Sequence, residues 1–231
     1  MRFKHLFFDL DHTLWDFEKN SFHAFERMFD DLQLQESLGI DFETFHSKYT
    51  IHNTYYWNLY SVGGINQTEL KWRRMYETLK DFAHADLEKA KSMSATYLEF
   101  LPESKQLFPH TREILEYLKG RSYMLHILSN GFELTQHRKL KNSKIDTYFE
   151  HVITSEACGY VKPDARIFDY SISKANTSNQ ESIMIGDSPE ADLQGALNAG
   201  MESVFVDHHA VDTEVKYTYK VNSLVELEEI F

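Results

Sequence analysis

The chain has 231 residues, of which 42% are hydrophobic and 26% are charged, which is typical of a folded globular protein with room for a core domain and a smaller insert. Asp and Glu (36) outnumber Lys and Arg (24), and the formal net charge is −12. This charge disfavours a long nucleic acid as a partner, because nucleic-acid phosphates bind basic surfaces. It does not exclude a small phosphorylated metabolite, since a few local donors can hold one phosphate.

The cysteine content and the hydropathy of the sequence favour a cytoplasmic location. Cys158 is the only cysteine in the sequence, so no intramolecular disulfide can form, and we expect a reduced, cytoplasmic protein. No apolar run approaches the roughly 18 residues that a membrane span needs, so a membrane is not an expected partner. The segment before Asp9 is too short for a signal peptide. The sequence leaves the oligomeric state open.

The predicted elements begin with a strand and continue with helices. Residues 3–8 are mostly apolar and run into Asp9, which favours a central strand of a parallel sheet. From residue 16 to residue 100 the spacing of apolar residues becomes helical. Amphipathic helices are predicted at residues 16–32, 41–62, 66–84 and 86–100. We therefore predict an all-helical insert at residues 16–100.

Strands and helices alternate after Pro102. Strands are predicted at residues 123–128, 151–154, 182–185 and 203–206, and helices at residues 109–120, 132–142, 163–175, 189–200 and 223–230. This alternation implies βαβ units and a parallel sheet. The predicted fold class is therefore α/β, with a core of residues 1–15 and 101–231 that the insert divides after its first strand.

Polar residues follow the predicted strands. Asp9 and Asp11 follow the first strand, Ser129 the second and Asp187 the fourth, while Lys162 lies on the loop beyond the third. Ligands of open α/β sheets bind outside the carboxyl ends of the strands. We therefore expect these side chains to converge on one site.

Asp9 and Asp11 point to a divalent cation. Two carboxylates two residues apart after a buried strand repel each other unless a cation lies beside them. Mg²⁺ prefers oxygen ligands and usually binds one or two carboxylates together with a substrate phosphate. Asp187 could supply a further carboxylate, and Asp192 on the next helix could orient the ligands. We therefore predict Mg²⁺ as the cofactor.

The same residue types suit phosphoryl transfer. A metal-bound carboxylate can attack phosphorus and form an aspartyl phosphate, while a neighbouring carboxyl group protonates the leaving oxygen and later accepts a proton from water. Two unit charges of like sign repel by about 4 kcal/mol at ~4 Å for an effective dielectric of ~20, a cost that Mg²⁺ and Lys162 would offset. Ser129 and the backbone N–H groups of residues 129–131 could bind phosphoryl oxygens.

Four short motifs carry a family resemblance. They occupy residues 8–14 (FDLDHTL), 128–131 (LSNG), 161–164 (VKPD) and 186–188 (GDS), the last followed by Asp192. This ordered set resembles the four motifs of the haloacid dehalogenase-like hydrolase superfamily. The resemblance implies a Rossmann-like core with a helical cap between the first and second motifs, which the insert at residues 16–100 would form.

The resemblance also implies the catalytic roles. Asp9 would be the nucleophile, and Asp11 would be the acid/base, whose backbone carbonyl also binds the metal. The dehalogenases of the superfamily lack the second aspartate of the first motif. The presence of Asp11 therefore favours phosphate chemistry.

The remaining implied roles concern binding. The phosphate would be held by Ser129, Asn130 and Lys162. The metal ligands would be Asp9, Asp11 and Asp187, with Asp192 acting through water or by orienting another ligand.

A narrower resemblance concerns the substrate. Residues 11–17 and 129–132 are most similar to the branch of pyrimidine 5′-nucleotidases, which implies a nucleoside monophosphate as the small phosphorylated substrate. The alternatives are a phosphosugar phosphatase or a phosphomutase with the same aspartyl phosphate. A 2-haloacid dehalogenase and a non-catalytic binding module are also open.

Two further groups of residues have simpler interpretations. The insert carries many aromatic residues, namely Phe42, Phe45, Tyr49, Tyr55, Tyr56, Trp57, Tyr60, Trp72 and Tyr76. We interpret most of them as the insert's own core, although one or two could stack on a base. Three consecutive aromatics cannot share one helix face, so at least one of residues 55–57 is expected to point outward. We interpret His208 and His209 as residues of a surface turn.

Overall fold

The computed structural model describes residues 2–231, and the chain forms two compact units. The first combines the residues up to 18 with residues 105–231, and the second spans residues 19–104. Both breaks lie a few residues beyond the predicted ones, and the assignment of a catalytic domain and a cap domain stays a prediction. Within residues 2–231, no helix is both long and apolar enough to cross a membrane.

The second unit is built from helices. They are α1 (Phe17–Asp31), whose first two residues belong to the first unit, α2 (Leu34–Leu38), α3 (Phe42–Ser61), α4 (Gln67–Asp81) and α5 (Leu87–Phe100). Four coincide with predicted helices, whereas α2 is too short to show an apolar period. Asp41, Asn66 and Asp86 cap α3, α4 and α5 by accepting a hydrogen bond from a backbone N–H of the first turn. Each such cap contributes about 1 kcal/mol.

Aromatic side chains form the interior of this unit. The centroid of the Phe25 ring lies 4.3 Å from that of Tyr49 and 5.1 Å from that of Tyr97. The buried members of the predicted aromatic group are Phe45, Tyr49, Tyr56 and Tyr60. For these residues the core interpretation is confirmed, whereas Tyr55 is 57% exposed and is the outward-pointing residue expected from the run at residues 55–57.

The helices of the first unit alternate with strands. They are α6 (Thr111–Gly120), α7 (Glu133–Asn142), α8 (Ser155–Cys158), α9 (Ala165–Ala175) and α10 (Gln194–Asn198). The sequence predicts α6, α7 and α9, but not the single turn α8. The predicted helix over residues 189–200 is confirmed, but its first half, Pro189–Leu193, is wound as a π-helix. This wider turn allows the Asp192 side chain to accept hydrogen bonds from Ser188 N and Lys162 Nζ, and such turns are frequent at functional sites.

The C-terminal segment is a 3₁₀-helix, Leu224–Glu229, which lies within the helix predicted over residues 223–230. Leu224 and Leu227 are both fully buried. A 3₁₀-helix has three residues per turn, so it places these two leucines on the same side.

Six parallel strands form the sheet of the first unit. They are β1 (His5–Phe8), β2 (Met124–Ser129), β3 (Phe149–Thr154), β4 (Ser182–Gly186), β5 (Glu202–Val206) and β6 (Tyr219–Val221). Their order is β3-β2-β1-β4-β5-β6, and all neighbouring pairs are parallel. The α/β prediction is confirmed. The sequence misses β6, because three residues are too few to show strand periodicity.

The central strand β1 positions the candidate site. All four of its residues are buried, and it pairs with β2 on one side and β4 on the other. Phe8 lies opposite Ile127 of β2 and Ile185 of β4. The strand order reverses direction at β1, and ligands bind at such a switch point, outside the carboxyl ends of the strands. Asp9 is the next residue along the chain.

One face of the sheet is closed by α9 and α10. Phe7, Leu128 and Met184 from three strands pack with Ile167 and Phe168 of α9 in one buried cluster. Burying a side chain of this size contributes roughly 1.5–3 kcal/mol relative to leaving it exposed. This packing holds the ends of β1, β2 and β4 at fixed positions.

Candidate active site

Asp9 is held at the end of β1 by the sheet itself. Its N–H donates to the carbonyl of Ile185 at 2.9 Å, which continues the ladder with β4 by one residue. The chain then turns back tightly, because the N–H groups of Leu14 and Trp15 both donate to the Leu10 carbonyl, at 3.0 and 2.9 Å. The result is a compact loop in which Asp9 is buried at the carboxyl edge of the sheet.

Lys162 joins Asp9 to two other strand ends. Its Nζ lies 2.7 Å from Asp9 Oδ1, 2.6 Å from Asp192 Oδ1 and 2.8 Å from the Leu128 carbonyl, so its three donors are all used. The side chain is only 2% exposed. Burial alone would lower the pKa of Lys162, but the carboxylates of Asp192 and Asp9 outweigh it and raise that pKa. Lys162 is therefore a permanent positive charge beside Asp9.

Asp187 follows β4 and faces the same loop. Its Oδ1 accepts a hydrogen bond from Thr13 Oγ1 at 2.8 Å. Burial raises the pKa of Asp187 to about 7, and the nearby Asp192 carboxylate adds to the shift. No lysine or arginine pairs with Asp187 in the described part of the chain, so its charge lacks a direct partner.

The carboxylates of Asp9, Asp187 and Asp192 fit a divalent cation. One oxygen from each lies within 4.8 Å of the other two. Burial also raises the pKa of Asp9 well above its usual range, despite the opposing effect of Lys162. One lysine therefore does not balance three carboxylates, and a bound cation would supply the missing charge. Oxygen ligands at this spacing suit Mg²⁺.

Asp192 differs from the other two carboxylates because both of its oxygens are engaged. Oδ1 accepts from Lys162 Nζ, and Oδ2 accepts from the Ser188 N–H at 3.0 Å. Gly186 makes this geometry possible, since a Cβ at residue 186 would overlap Asp192 Oδ2. Asp192 is thus suited to orient Lys162, whereas Asp9 and Asp187 are better placed to bind a cation directly.

Asn130 uses its side-chain amide to fix the backbone at Lys162. Its Nδ2 donates to the Lys162 carbonyl at 3.0 Å, and its Oδ1 accepts from the Lys162 N–H at 2.8 Å. The amide therefore joins the loop after β2 to the loop after β3. A phosphate contact by Asn130 would use its backbone N–H or the second Nδ2 proton, and it stays a prediction.

Ser129 ends β2 with a hydroxyl that accepts two hydrogen bonds. The donors are the Gly131 N–H at 3.0 Å and Gln136 Nε2 at 2.7 Å. Because both bonds end on the oxygen, the hydroxyl proton of Ser129 is left to donate. This proton could donate a hydrogen bond to a phosphoryl oxygen.

Asp11 contacts two residues that the sequence does not single out. Lys139 Nζ lies 2.6 Å from Asp11 Oδ1, and Gln136 Nε2 lies 2.8 Å from Asp11 Oδ2. Both donors belong to α7, three residues apart, and such residues share a helix face. The sequence alone carries no signal for them, because packing decides which face of α7 turns toward the loop. Thr13 could have been found as the second polar residue after Asp11.

His208 packs against the loop rather than joining the acidic cluster. Its ring stacks on Phe108 with centroids 3.9 Å apart, and its Nε2 lies 3.1 Å from the Thr13 carbonyl. Among residues 2–231, the group of Asp9, Asp187 and Asp192 is the one set of three or more potential metal ligands that meets. The histidine pair therefore carries no metal site in the described structure.

Comparison with known proteins identifies the family. Residues 6–206 match the family of haloacid dehalogenase-like hydrolases. The chain belongs to this family. The sequence-based prediction of a phosphatase of the haloacid dehalogenase-like type is thereby confirmed.

Relatives of this haloacid dehalogenase-like hydrolase match over nearly its whole length. The pyrimidine 5′-nucleotidase YjjG of Escherichia coli is 30% identical over 233 residues, which cover 100% of this chain and 98% of YjjG. The pyrimidine 5′-nucleotidase PynA of Streptococcus pneumoniae is 31% identical over 231 residues, which cover 98% of this chain and 94% of PynA. The matches therefore include the helical unit as well as the sheet.

A solved structure shares the fold. The HAD-hydrolase YfnB of Bacillus subtilis, whose crystal structure contains magnesium, aligns with a TM-score of 0.89 and 26% identity. The alignment covers 100% of this chain and 99% of YfnB. An all-helical insert within a haloacid dehalogenase-like core, as predicted from the sequence, is thus confirmed.

Proposed function

We propose that this phosphatase hydrolyses phosphomonoesters through an aspartyl phosphate on Asp9, with Mg²⁺ as its cofactor. One observation carries the proposal. Asp9 lies at the switch point of the sheet, 2.7 Å from the buried ammonium of Lys162, and shares a carboxylate cluster with Asp187. A buried carboxylate with a cation on one side and a metal-binding partner on the other is suited to attack a dianionic phosphate.

The reaction would proceed in two steps. First, a carboxylate oxygen of Asp9 attacks phosphorus, the bond to the leaving oxygen breaks, and that oxygen keeps the electron pair and takes a proton from Asp11. Second, water attacks the phosphorus of the aspartyl phosphate and gives a proton to Asp11. The bond between phosphorus and Asp9 then breaks, which restores the carboxylate and releases phosphate.

The other site residues would bind the phosphate and the cofactor. Asp9, Asp187 and the backbone carbonyl of Asp11 would hold Mg²⁺, which when bound neutralises charge on the phosphate and the nucleophile. The Ser129 hydroxyl would donate to a phosphoryl oxygen, and Lys162 would do so by exchanging its bond to Asp9 for one to the phosphate. The carboxylate of Asp192 supports this arrangement by fixing Lys162.

We propose a nucleoside 5′-monophosphate as the substrate. The support comes from the two pyrimidine 5′-nucleotidases, whose similarity extends across the helical unit and is not confined to the catalytic motifs. The short resemblance at residues 11–17 and 129–132 agrees with it.

A phosphate-release screen with Mg²⁺ tests the proposal. The panel contains pyrimidine and purine nucleoside 5′-monophosphates, sugar phosphates and an aryl phosphate, and we expect the highest kcat/KM with a pyrimidine nucleotide. A preference for a sugar phosphate would reject the nucleotidase but keep the phosphatase. Isomerised product with little free phosphate would indicate a mutase, and chloride release from a 2-haloacid without Mg²⁺ would indicate a dehalogenase. The matched variant Asp9→Asn should release no phosphate.

A further inference from the structure

Two buried residues of α7 hold the side chain of Asp11, and the reaction described above gives neither a role. We infer that Lys139 and Gln136 are positioning residues that fix the Asp11 carboxylate for proton transfer. The inference rests on the proposed function, because it takes Asp11 as the acid/base.

Each oxygen of Asp11 has its own donor. Lys139 Nζ binds Oδ1 at 2.6 Å, and Gln136 Nε2 binds Oδ2 at 2.8 Å. Two hydrogen bonds to different oxygens fix both the position and the rotation of a carboxylate group, whereas one would leave it free to turn. The donors come from one rigid helix face, so they are themselves well placed to impose this orientation.

The surroundings of Lys139 favour Asp11 as the partner of its charge. The side chain is only 2% exposed, and its Nζ lies 4.3 Å from the centroid of Trp15 and 5.3 Å from that of Phe17. The aromatic faces favour a cation but offer no carboxylate. In the described part of the chain, Asp11 is the one carboxylate that pairs with Lys139. A buried ammonium without such a partner destabilises the fold, so Lys139 is held in its contact with Asp11.

The side chain of Gln136 is also oriented toward Asp11. Its Nε2 donates both to Asp11 and to Ser129 Oγ, while its buried Oε1 has no hydrogen-bond partner among the described residues. An unsatisfied buried acceptor destabilises the folded state. Turning the amide over would place Oε1 against the Asp11 carboxylate and lose the bond to Asp11. The amide is thus held in the orientation that serves Asp11.

The turn before α7 is shaped to admit this amide. A Cβ at Gly131 would overlap Gln136 Nε2, so glycine at this position leaves the room that the Gln136 side chain occupies. Through its two bonds Gln136 fixes the distance between Asp11 and Ser129, which are the proposed proton-transfer and phosphate-binding groups. Loss of such positioning, by about 1 Å, can reduce a rate by about 100-fold.

A double-mutant cycle tests whether Lys139 acts through Asp11. We would measure single-turnover rates, kcat and KM with uridine 5′-monophosphate, whose alkoxide leaving group needs a proton, and Mg²⁺ for Lys139→Met, Asp11→Asn and the double variant. Lys139→Met should lower kcat by about 10- to 100-fold with little change in KM, and should cause no further loss once Asp11 is Asn. Gln136→Met should behave in the same way. Lys141→Met, an exposed lysine of the same helix, is the matched control and should be unchanged.

The outcomes separate this inference from the proposed function. If Lys139→Met and Gln136→Met reduce the rate by the same factor with Asp11 and with Asn at residue 11, they act independently of Asp11 and the inference is overturned. If wild type releases phosphate and Asp9→Asn does not, the proposed function survives that result. A wild type without phosphatase activity would overturn both. If Lys139→Met does not fold, as seen by thermal unfolding, the cycle with Gln136→Met decides.

Discussion

The charge of Lys162 holds several strand ends together at the candidate site. Its ammonium group bonds to Asp9 after β1, to the Leu128 carbonyl within β2, and to Asp192 beyond β4. Buried ion pairs contribute little net stability when complete, but removing one partner leaves an uncompensated charge and typically costs about 3–5 kcal/mol. Lys162, which supports the proposed nucleophile, is therefore also a structural residue.

Lys162→Met is expected to lower both stability and activity. The change leaves Asp9 and Asp192 without their cation, and the free energy of unfolding should fall by about 3–5 kcal/mol. Urea denaturation without divalent cations measures this loss, and phosphate release with Mg²⁺ should be abolished. The exposed lysine variant Lys141→Met is the control for both assays. A Lys162→Met protein with wild-type stability would contradict this account of the charge balance.

Gly186→Ala tests the close approach of Asp192 to β4. The added Cβ would overlap Asp192 Oδ2, so the carboxylate must leave the position in which it bonds to Ser188 N and Lys162. Overpacking of this kind costs about 1–3 kcal/mol, and kcat should fall because Lys162 loses its fixed position. Gly120→Ala is a matched control, since a Cβ there meets nothing within 4 Å. Equal behaviour of the two variants in denaturation and turnover would show that Asp192 tolerates displacement.

At the level of elements, three histidines lie side by side on neighbouring strands of the sheet. The ring of His126 in β2 stacks on His5 of β1 and on His151 of β3, with both centroid distances at 5.3 Å. His5 Nδ1 and His126 Nε2 are 3.0 Å apart. Burial, reinforced by the neighbouring His5 and His151, lowers the pKa of His126 to about 3. The strands therefore pair around a histidine that stays neutral.

This arrangement predicts a loss of stability in acid. The unfolded chain protonates His126 near its ordinary pKa of about 6.5, while the folded protein resists until about pH 3, so between these values the unfolded state binds more protons. Stability should fall with decreasing pH in this window, by up to about 1.4 kcal/mol per pH unit from this group. His126→Phe should flatten the dependence measured by denaturation at about pH 7 and about pH 5. His137→Gln, at an exposed position of α7, should leave it unchanged, and an unchanged slope in His126→Phe would refute the assignment.

The elements and the site differ in how far the sequence predicts them. Long periodic segments such as α3 and the apolar strand β1 are predictable, because their patterns repeat often enough to be recognised. Short elements such as α2, α8 and β6 carry too few residues for any period. The convergence of Asp9, Lys162 and Asp187 follows from strand order, whereas Gln136 and Lys139 depend on which face of α7 turns toward the loop. That orientation is set by packing, which the sequence alone does not specify.

At the scale of the whole molecule, cation binding should be linked to unfolding. A ligand that binds only the folded state stabilises it by about 2.7 kcal/mol at 100 times its Kd. Mg²⁺ should therefore raise the Tm of the wild type, and this effect should be much smaller in Asp187→Asn, which lacks a carboxylate of the cluster. Asp212→Asn, at an exposed position, is the matched control. Equal Tm shifts in the two variants would exclude Asp187 as a metal ligand.

The position of β1 in the chain has a consequence for synthesis. His5 pairs with Met124 and with Ser182, so the strand that leads into Asp9 is translated more than a hundred residues before either partner. At a translation rate of roughly 5–20 residues per second, this strand stays without a paired neighbour for on the order of ten seconds. Slowed ribosomes lengthen that interval, and a nascent chain that stops before β2 presents an unpaired hydrophobic strand, which is a hazard for aggregation.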